Sequence, residues 1–197
     1  MNELRIQIAR WISVVGHPFL LMPVLTGIIA YHVLPPPQAL VAIVVALGVV
    51  IVPAALYTIY RVRKGTWGDL DVSDQQQRGQ FYNILLPLLL IITVVATLAD
   101  VPPAIPLGAG GIIALVGLAH FINSRVKVSL HTGFGFFVAL TLFLIRSDIA
   151  FAVLILACFI GWSRIVLGRH SVREVLLGGG LGFVVAGALV VALRMLN

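Results

Sequence analysis

Seven apolar runs dominate this chain, at about 16–34, 38–60, 82–99, 104–122, 131–145, 149–168 and 174–193, with little polar sequence between them. A helix rises about 1.5 Å per residue, so most runs of this length approach the ~30 Å of a bilayer's hydrocarbon core. Of the 197 residues, 60% are hydrophobic and 10% charged, more apolar surface than a soluble core of this size can hide. Transmembrane strands alternate with a period of two; these runs are uniformly apolar. The expected fold is a single all-α domain over residues 1–197, a polytopic membrane bundle of six to seven transmembrane helices. Its solvent is the lipid bilayer, and nothing in it points to nucleic acid.

The first fifteen residues mix Arg5 and Arg10 with Leu4, Ile6, Ile8, Trp11 and Ile12. That pattern predicts an amphipathic helix lying at the interface, with Trp11 as anchor, rather than a removable leader. Three joints between runs are short: Pro35–Pro37, Asp100–Pro103 and Arg146–Asp148. Each reads as a tight helix-to-helix turn, proline being unable to continue a helix. The alternate joints, from Arg61, Asn123 and Ser163, are longer and carry nearly all the charge. Two runs separate each of these polar joints from the next, so parity places all three on one membrane face.

Several residues have plain packing readings. Gly178, Gly179, Gly180 and Gly182 suit close helix packing rather than phosphate binding. Pro53 and Pro87 suggest kinks that neighbouring helices tolerate. The single cysteine, Cys158, lies in an apolar run and reads as core packing. His17, His32 and His120 have no acid at a useful spacing and read as interfacial or packing histidines. Asp69, Asp71 and Asp74 read as caps and turns of a solvated loop, and Trp67 and Tyr82 as interface markers.

The third polar joint, SRIVLGRHSVRE, holds the sharpest chemistry. Glu174 follows His170 by four residues. If the helix has begun by His170, the two side chains share a face, and a carboxylate can hold the proton of one imidazole nitrogen while the other acts as a nucleophile. Arg164 adds a permanent charge with a planar fork of donors that matches phosphate oxygens. In the second joint, Ser129 and His131 stand at the start of a run, where helix amides attract anions. Ser129 suits donation to a phosphoryl oxygen, and a protonated His131 suits a general acid. The first joint contributes Arg78.

These three pieces resemble the tripartite signature of the type 2 phosphatidic acid phosphatase superfamily. The third piece keeps the family's spacing of Ser-Arg, five residues, His, three residues and an acid, with Glu174 where aspartate is usual. VSLH stands where the family has Pro-Ser-Gly-His, keeping Ser129 and His131. The first motif expects a lysine seven residues before Arg-Pro, whereas this chain has Asp71, Arg78 and Gly79; Lys64 and Lys127 are the candidate substitutes. The resemblance covers about residues 60–180. It implies that His170 attacks phosphorus to form a phosphohistidine, Glu174 orients it, and His131 protonates the departing oxygen. Arg78, Ser129 and Arg164 would hold the phosphoryl group, with backbone amides near Thr132 and Gly133 assisting. Neither a metal nor another cofactor is implied.

A phosphate site at helix ends suits a membrane lipid phosphate or diphosphate: phosphatidate-like lipids, phosphatidylglycerophosphate or polyprenyl diphosphates. The same residues would serve a lipid phosphotransferase, and a transporter or lipid-binding protein with a degenerate site is the reading from another class. Basic residues from Arg5 to Arg173 fall on the motif face, leaving Arg146 and Arg194 opposite. The positive-inside rule then puts the motif face in the cytoplasm, and family analogy favours a prokaryotic membrane.

Overall fold

The computed structural model describes residues 3–196. Among them eight helices follow one another: α1 Glu3–Val15, α2 Pro18–Val33, α3 Pro36–Arg63, α4 Gln75–Leu98, α5 Ala104–Asn123, α6 Leu130–Leu142, α7 Ser147–Val166 and α8 Val172–Met195. No strand occurs among the described residues. Five of the helices, α3, α4, α5, α7 and α8, are long and apolar enough to cross a membrane; α1 and α2, bent by 44° at their junction, make a sixth if the pair is one span. The sequence expectation of six to seven meets this range at six. The difference is α6, whose 13 residues reach only about 20 Å at 1.5 Å each.

Burial confirms which solvent these helices are built for. In α8 the residues Val175, Gly178, Gly179, Gly182, Val185, Ala186 and Leu189 are buried, a stripe recurring every three or four positions. Leu176, Phe183, Val184 and Val191 on the other side of the same helix are exposed. A helix apolar on its packed and its open face has lipid, not water, around it. The chain is an integral, multi-pass membrane protein. Cys158, expected in the core, is exposed on such an outward face beside Ile155, Phe159 and Trp162.

Prolines shape the elements without ending them. Pro36 opens α3, and Pro35 before it takes φ −56°, ψ 146°, the extended geometry imposed on a residue that precedes proline. Farther along, Pro53 lacks an N–H and its ring crowds the carbonyl four residues back. The helix answers by widening into a π turn over Leu47–Ile51 and then continues. Pro87 lies inside the unbroken α4.

The helices fall into two compact units, Met1–Leu25 with Val126–Asn197, and Thr26–Arg125. In the second unit α4 packs on α5 and α3 on α4, and a small core of Ala30, Leu34 and Ala39 closes the α2–α3 turn. Its polar loop is organised by Arg61, whose guanidinium donates to Tyr57 Oη, Thr66 Oγ1 and Gln80 Oε1 and lies 5.1 Å from the Trp67 ring. Trp67 and Tyr82, expected as interface markers, are instead 3% and 0% exposed; Trp67 is enclosed by Tyr57 and Phe81, Tyr82 by His120. The acidic residues do serve as caps and turns: Asp74 accepts the Gln76 and Gln77 amides at the start of α4, and Asp69 accepts from Ser73.

In the first unit α6 is the centre, packed on both α7 and α8, with α1 against α7. Glycines set these approaches. A Cβ on Gly178 would stand 2.3 Å from the Ser129 carbonyl oxygen, and one on Gly182 would stand 2.1 Å from that of Gly133. Only hydrogen fits, so α8 crosses α6 backbone against backbone. Gly180, grouped with them in the sequence, has open space around it.

Candidate active site

The loop between α7 and α8 is built by a helix end, a turn and a helix start in immediate succession. Gly168 takes φ +64°, the left-handed conformation that glycine adopts without a Cβ clash. The chain therefore doubles back, and the amides of Arg169 and His170 both donate to the carbonyl of Arg164, at 3.0 and 3.2 Å. This reversal gives the Ser-Arg-to-His spacing its physical meaning: the Arg164 carbonyl anchors the backbone of His170.

The His170–Glu174 pair forms as expected, but by a different route. Helix α8 starts at Val172 with Ser171 as its N-cap, so His170 precedes the helix and shares no helical face with Glu174. A capping box does the work. The Ser171 hydroxyl accepts the Glu174 amide at 3.3 Å, and the Glu174 carboxylate folds back over the Ser171 amide at 3.4 Å. That return brings Glu174 Oε2 to 2.7 Å from His170 Nδ1. With the carboxylate accepting from Nδ1–H, the imidazole lone pair lies on Nε2. The Ser-x-x-Glu pattern at Ser171 was the available signal for this geometry.

Ser129 and His131 are delivered by α6. Ser129 is its N-cap and is fully buried, its hydroxyl 3.0 Å from Thr132 Oγ1. The amide of Ser129 donates to the carbonyl of Glu174 at 3.1 Å, tying the second polar joint to the third. His131, 5% exposed, lies in the first turn. Lys127 is beside them, its ammonium 3.4 Å from the Arg169 carbonyl. Arg164, in the last turn of α7, is fully buried. A guanidinium removed from water must be held by hydrogen bonds, and Nη1 donates to Ser13 Oγ of α1 at 2.6 Å.

Five of the six residues picked out by the sequence, Ser129, His131, Arg164, His170 and Glu174, thus belong to one unit; hydrogen bonds connect Ser129, Arg164, His170 and Glu174, and His131 stands in the first turn of the helix that Ser129 caps. Arg78 belongs to the other unit. There it is 4% exposed in the first turn of α4, and its Nε and Nη2 both donate to the Val72 carbonyl at 3.2 Å. Val72 holds φ +49°, a conformation that costs a β-branched residue on the order of 1–3 kcal/mol; Arg78 pins that turn. The sequence passed over Ser13 and set aside His17, yet both reach these residues: the rings of His17 and His131 meet edge to face at 4.8 Å.

Fold and site together define a class: an integral membrane protein carrying a histidine–carboxylate pair and a buried arginine on the loop between its last two helices. Residues 117–197 match the model of the PAP2 superfamily, in support of the resemblance that the motifs carry. Members of that superfamily are phosphatases, and the match suggests phosphatase-type activity. Ser129, His131, Arg164, His170 and Glu174 all lie inside the matched segment, and Arg78 lies outside it. No curated protein and no solved structure matches the chain.

Proposed function

We propose that the protein is a membrane lipid phosphate or diphosphate phosphatase working through a phosphohistidine. The observation that carries this reading is the 2.7 Å contact between His170 Nδ1 and Glu174 Oε2, which puts the imidazole lone pair on Nε2 for attack on phosphorus. As the N–P bond forms, the bond from phosphorus to the leaving oxygen breaks, and that oxygen takes the proton of the His131 imidazolium. Water then attacks the phosphohistidine, neutral His131 receives the water's proton, and inorganic phosphate leaves. The proton stays on Nδ1, donated to Glu174 throughout, and the carboxylate offsets positive charge on the modified ring.

Phosphate oxygens are held by Arg164 and Ser129. Lys127 stands in the same unit as the histidines and is the better substitute for the absent first-motif lysine; Lys64 lies exposed over the Tyr60 ring in the other unit. Cationic side chains supply the charge neutralisation, so chelators are expected to leave turnover intact. Sites at the ends of lipid-embedded helices suit a substrate whose phosphate lies at headgroup depth and whose chain stays in lipid. Phosphatidate, phosphatidylglycerophosphate and polyprenyl diphosphates meet that description, and an acceptor other than water would make the same intermediate a phosphotransferase.

The test is phosphate release from that panel by the purified protein in detergent or liposomes. Wild type is expected to turn over at least one of the three, while His170→Ala is expected to release none and to keep its helical content. Undiminished release by His170→Ala would refute the mechanism, and a product that appears only with a second lipid present would favour phosphotransfer.

A further inference from the structure

Helix α1 has a duty that its sequence pattern conceals. Leu4, Ile8 and Trp11 stay exposed, while Ala9, Ser13 and Gly16 are buried against the rest of the first unit. These positions recur at four and three residues, one side of the helix. Gly16 permits the approach: a Cβ there would stand 2.3 Å from Ile160 Cγ1 of α7. Arg5 extends the same seam, lying 5.9 Å from the Trp162 ring. Ser13 is thereby brought to Arg164, the buried cation of the site, at 2.6 Å.

One turn later the helix breaks, and the break has a defined chemistry. The His17 carbonyl accepts the amides of Leu20 and Leu21, and its Nδ1 accepts the amide of Phe19 at 3.1 Å. His17 is therefore the N-cap of α2, with Pro18 in the first helical position where its missing N–H costs nothing. The cap fixes the imidazole in place, and that ring meets the His131 ring at 4.8 Å and 89°.

We propose that the α1–α2 segment is a positioning clamp for the phosphate site, Ser13 setting the orientation of Arg164 and His17 that of His131. The proposal rests on the phosphatase reading for what Arg164 and His131 do, and it adds residues far outside the matched segment 117–197. Ser13 acts through Arg164: an acceptor on Nη1 restrains the rotation of the guanidinium plane, and with it the direction in which the fork meets phosphate oxygens. His17 acts through His131: an edge-to-face contact restrains the ring that must deliver a proton along one line.

The test uses full-length protein in detergent, with orthovanadate as the probe of the phosphate site and two substrates that differ in leaving group. Ser13→Ala is expected to weaken vanadate binding roughly tenfold, the worth of one hydrogen bond to a charged group, while Ser13→Thr, which keeps the hydroxyl, stays near wild type. His17→Asn keeps a side-chain cap for α2 but removes the ring. It is expected to slow hydrolysis of an alkyl lipid phosphate about tenfold or more, part of the roughly 10²–10⁴-fold that general acid catalysis supplies. p-Nitrophenyl phosphate, whose leaving group needs little protonation, should be affected far less.

Equal vanadate affinity in Ser13→Ala and wild type would overturn the Ser13 role. Equal slowing of both substrates by His17→Asn would mark a structural effect and overturn the His17 role. Wild type that binds vanadate without turning over any substrate would refute the phosphatase reading and leave Ser13 to be judged on affinity, with the His17 role lost. No vanadate binding by wild type would overturn both proposals.

Discussion

His170 and Glu174 are coupled in two ways that a substitution can separate. Glutamine at 174 can still accept Nδ1–H and still complete the capping box, which takes Glu or Gln, but it removes the charge that offsets a cationic ring. Glu174→Gln is therefore expected to cut phosphate release about 10²–10⁴-fold while moving the thermal midpoint by no more than about 2 °C; loss of helicity in parallel with activity would contradict that division. Spacing in the sequence was enough to pair these residues, although the reason differed: a turn through left-handed Gly168 and a capping box bring them together, not a shared helical face. Arg78 was legible as a cation in a polar joint, but its bond to the strained Val72 carbonyl was not. That bond predicts that Arg78→Ala costs stability in the second unit as well as any activity, on the order of 1–3 kcal/mol for the carbonyl and turn left unsupported. A thermal midpoint unchanged in Arg78→Ala would show the turn to be self-supporting.

Between helices, the glycines of α8 are the points at which sequence and packing meet. Gly178 and Gly182 face carbonyl oxygens of α6 at distances no Cβ tolerates, while Gly180, two residues from each, faces open space. Overpacking of this kind costs about 1–3 kcal/mol. Gly178→Ala is accordingly expected to lower the thermal midpoint by about 2–10 °C and to reduce activity by pushing Ser129 away from the Glu174 backbone. Gly180→Ala should leave both unchanged. Equal effects of the two substitutions would mean that helix propensity, not the α6 contact, dictates glycine here. The sequence grouped these glycines as packing residues without distinguishing them, because a periodicity names a face only once the neighbouring helix is known. The same blindness hid the second face of α1, where Ala9, Ser13 and Gly16 pack the helix against α7.

Across the membrane, exposure divides lipid from core in a way that spectroscopy can read. A nitroxide placed at Val184, exposed at 66%, is expected to be relaxed by oxygen and untouched by a water-soluble nickel chelate; access by the chelate would contradict lipid burial of that face. The orientation proposed from the positive-inside rule has its own check: in a Cys158→Ala background, Gln76→Cys should resist an impermeant thiol reagent on intact cells and Pro102→Cys should react. Labelling of Gln76→Cys from outside would reverse the assignment. Runs of apolar residues long enough for a bilayer settled the helical, multi-pass class from the sequence, because hydrocarbon leaves a chain few other ways to satisfy its backbone. Motif spacing likewise marked His170, Glu174 and Arg164, since the ends of helices fix short-range geometry. What spacing could not carry was any contact between distant segments. Ser13 lies 151 positions from the arginine it holds, and His17 well over a hundred from the histidine it touches, so their roles were decided by the packing of α1 on α7 through Gly16. Periodicity is a local property; the partner that gives a buried hydroxyl or ring its purpose exists only after the helices have docked.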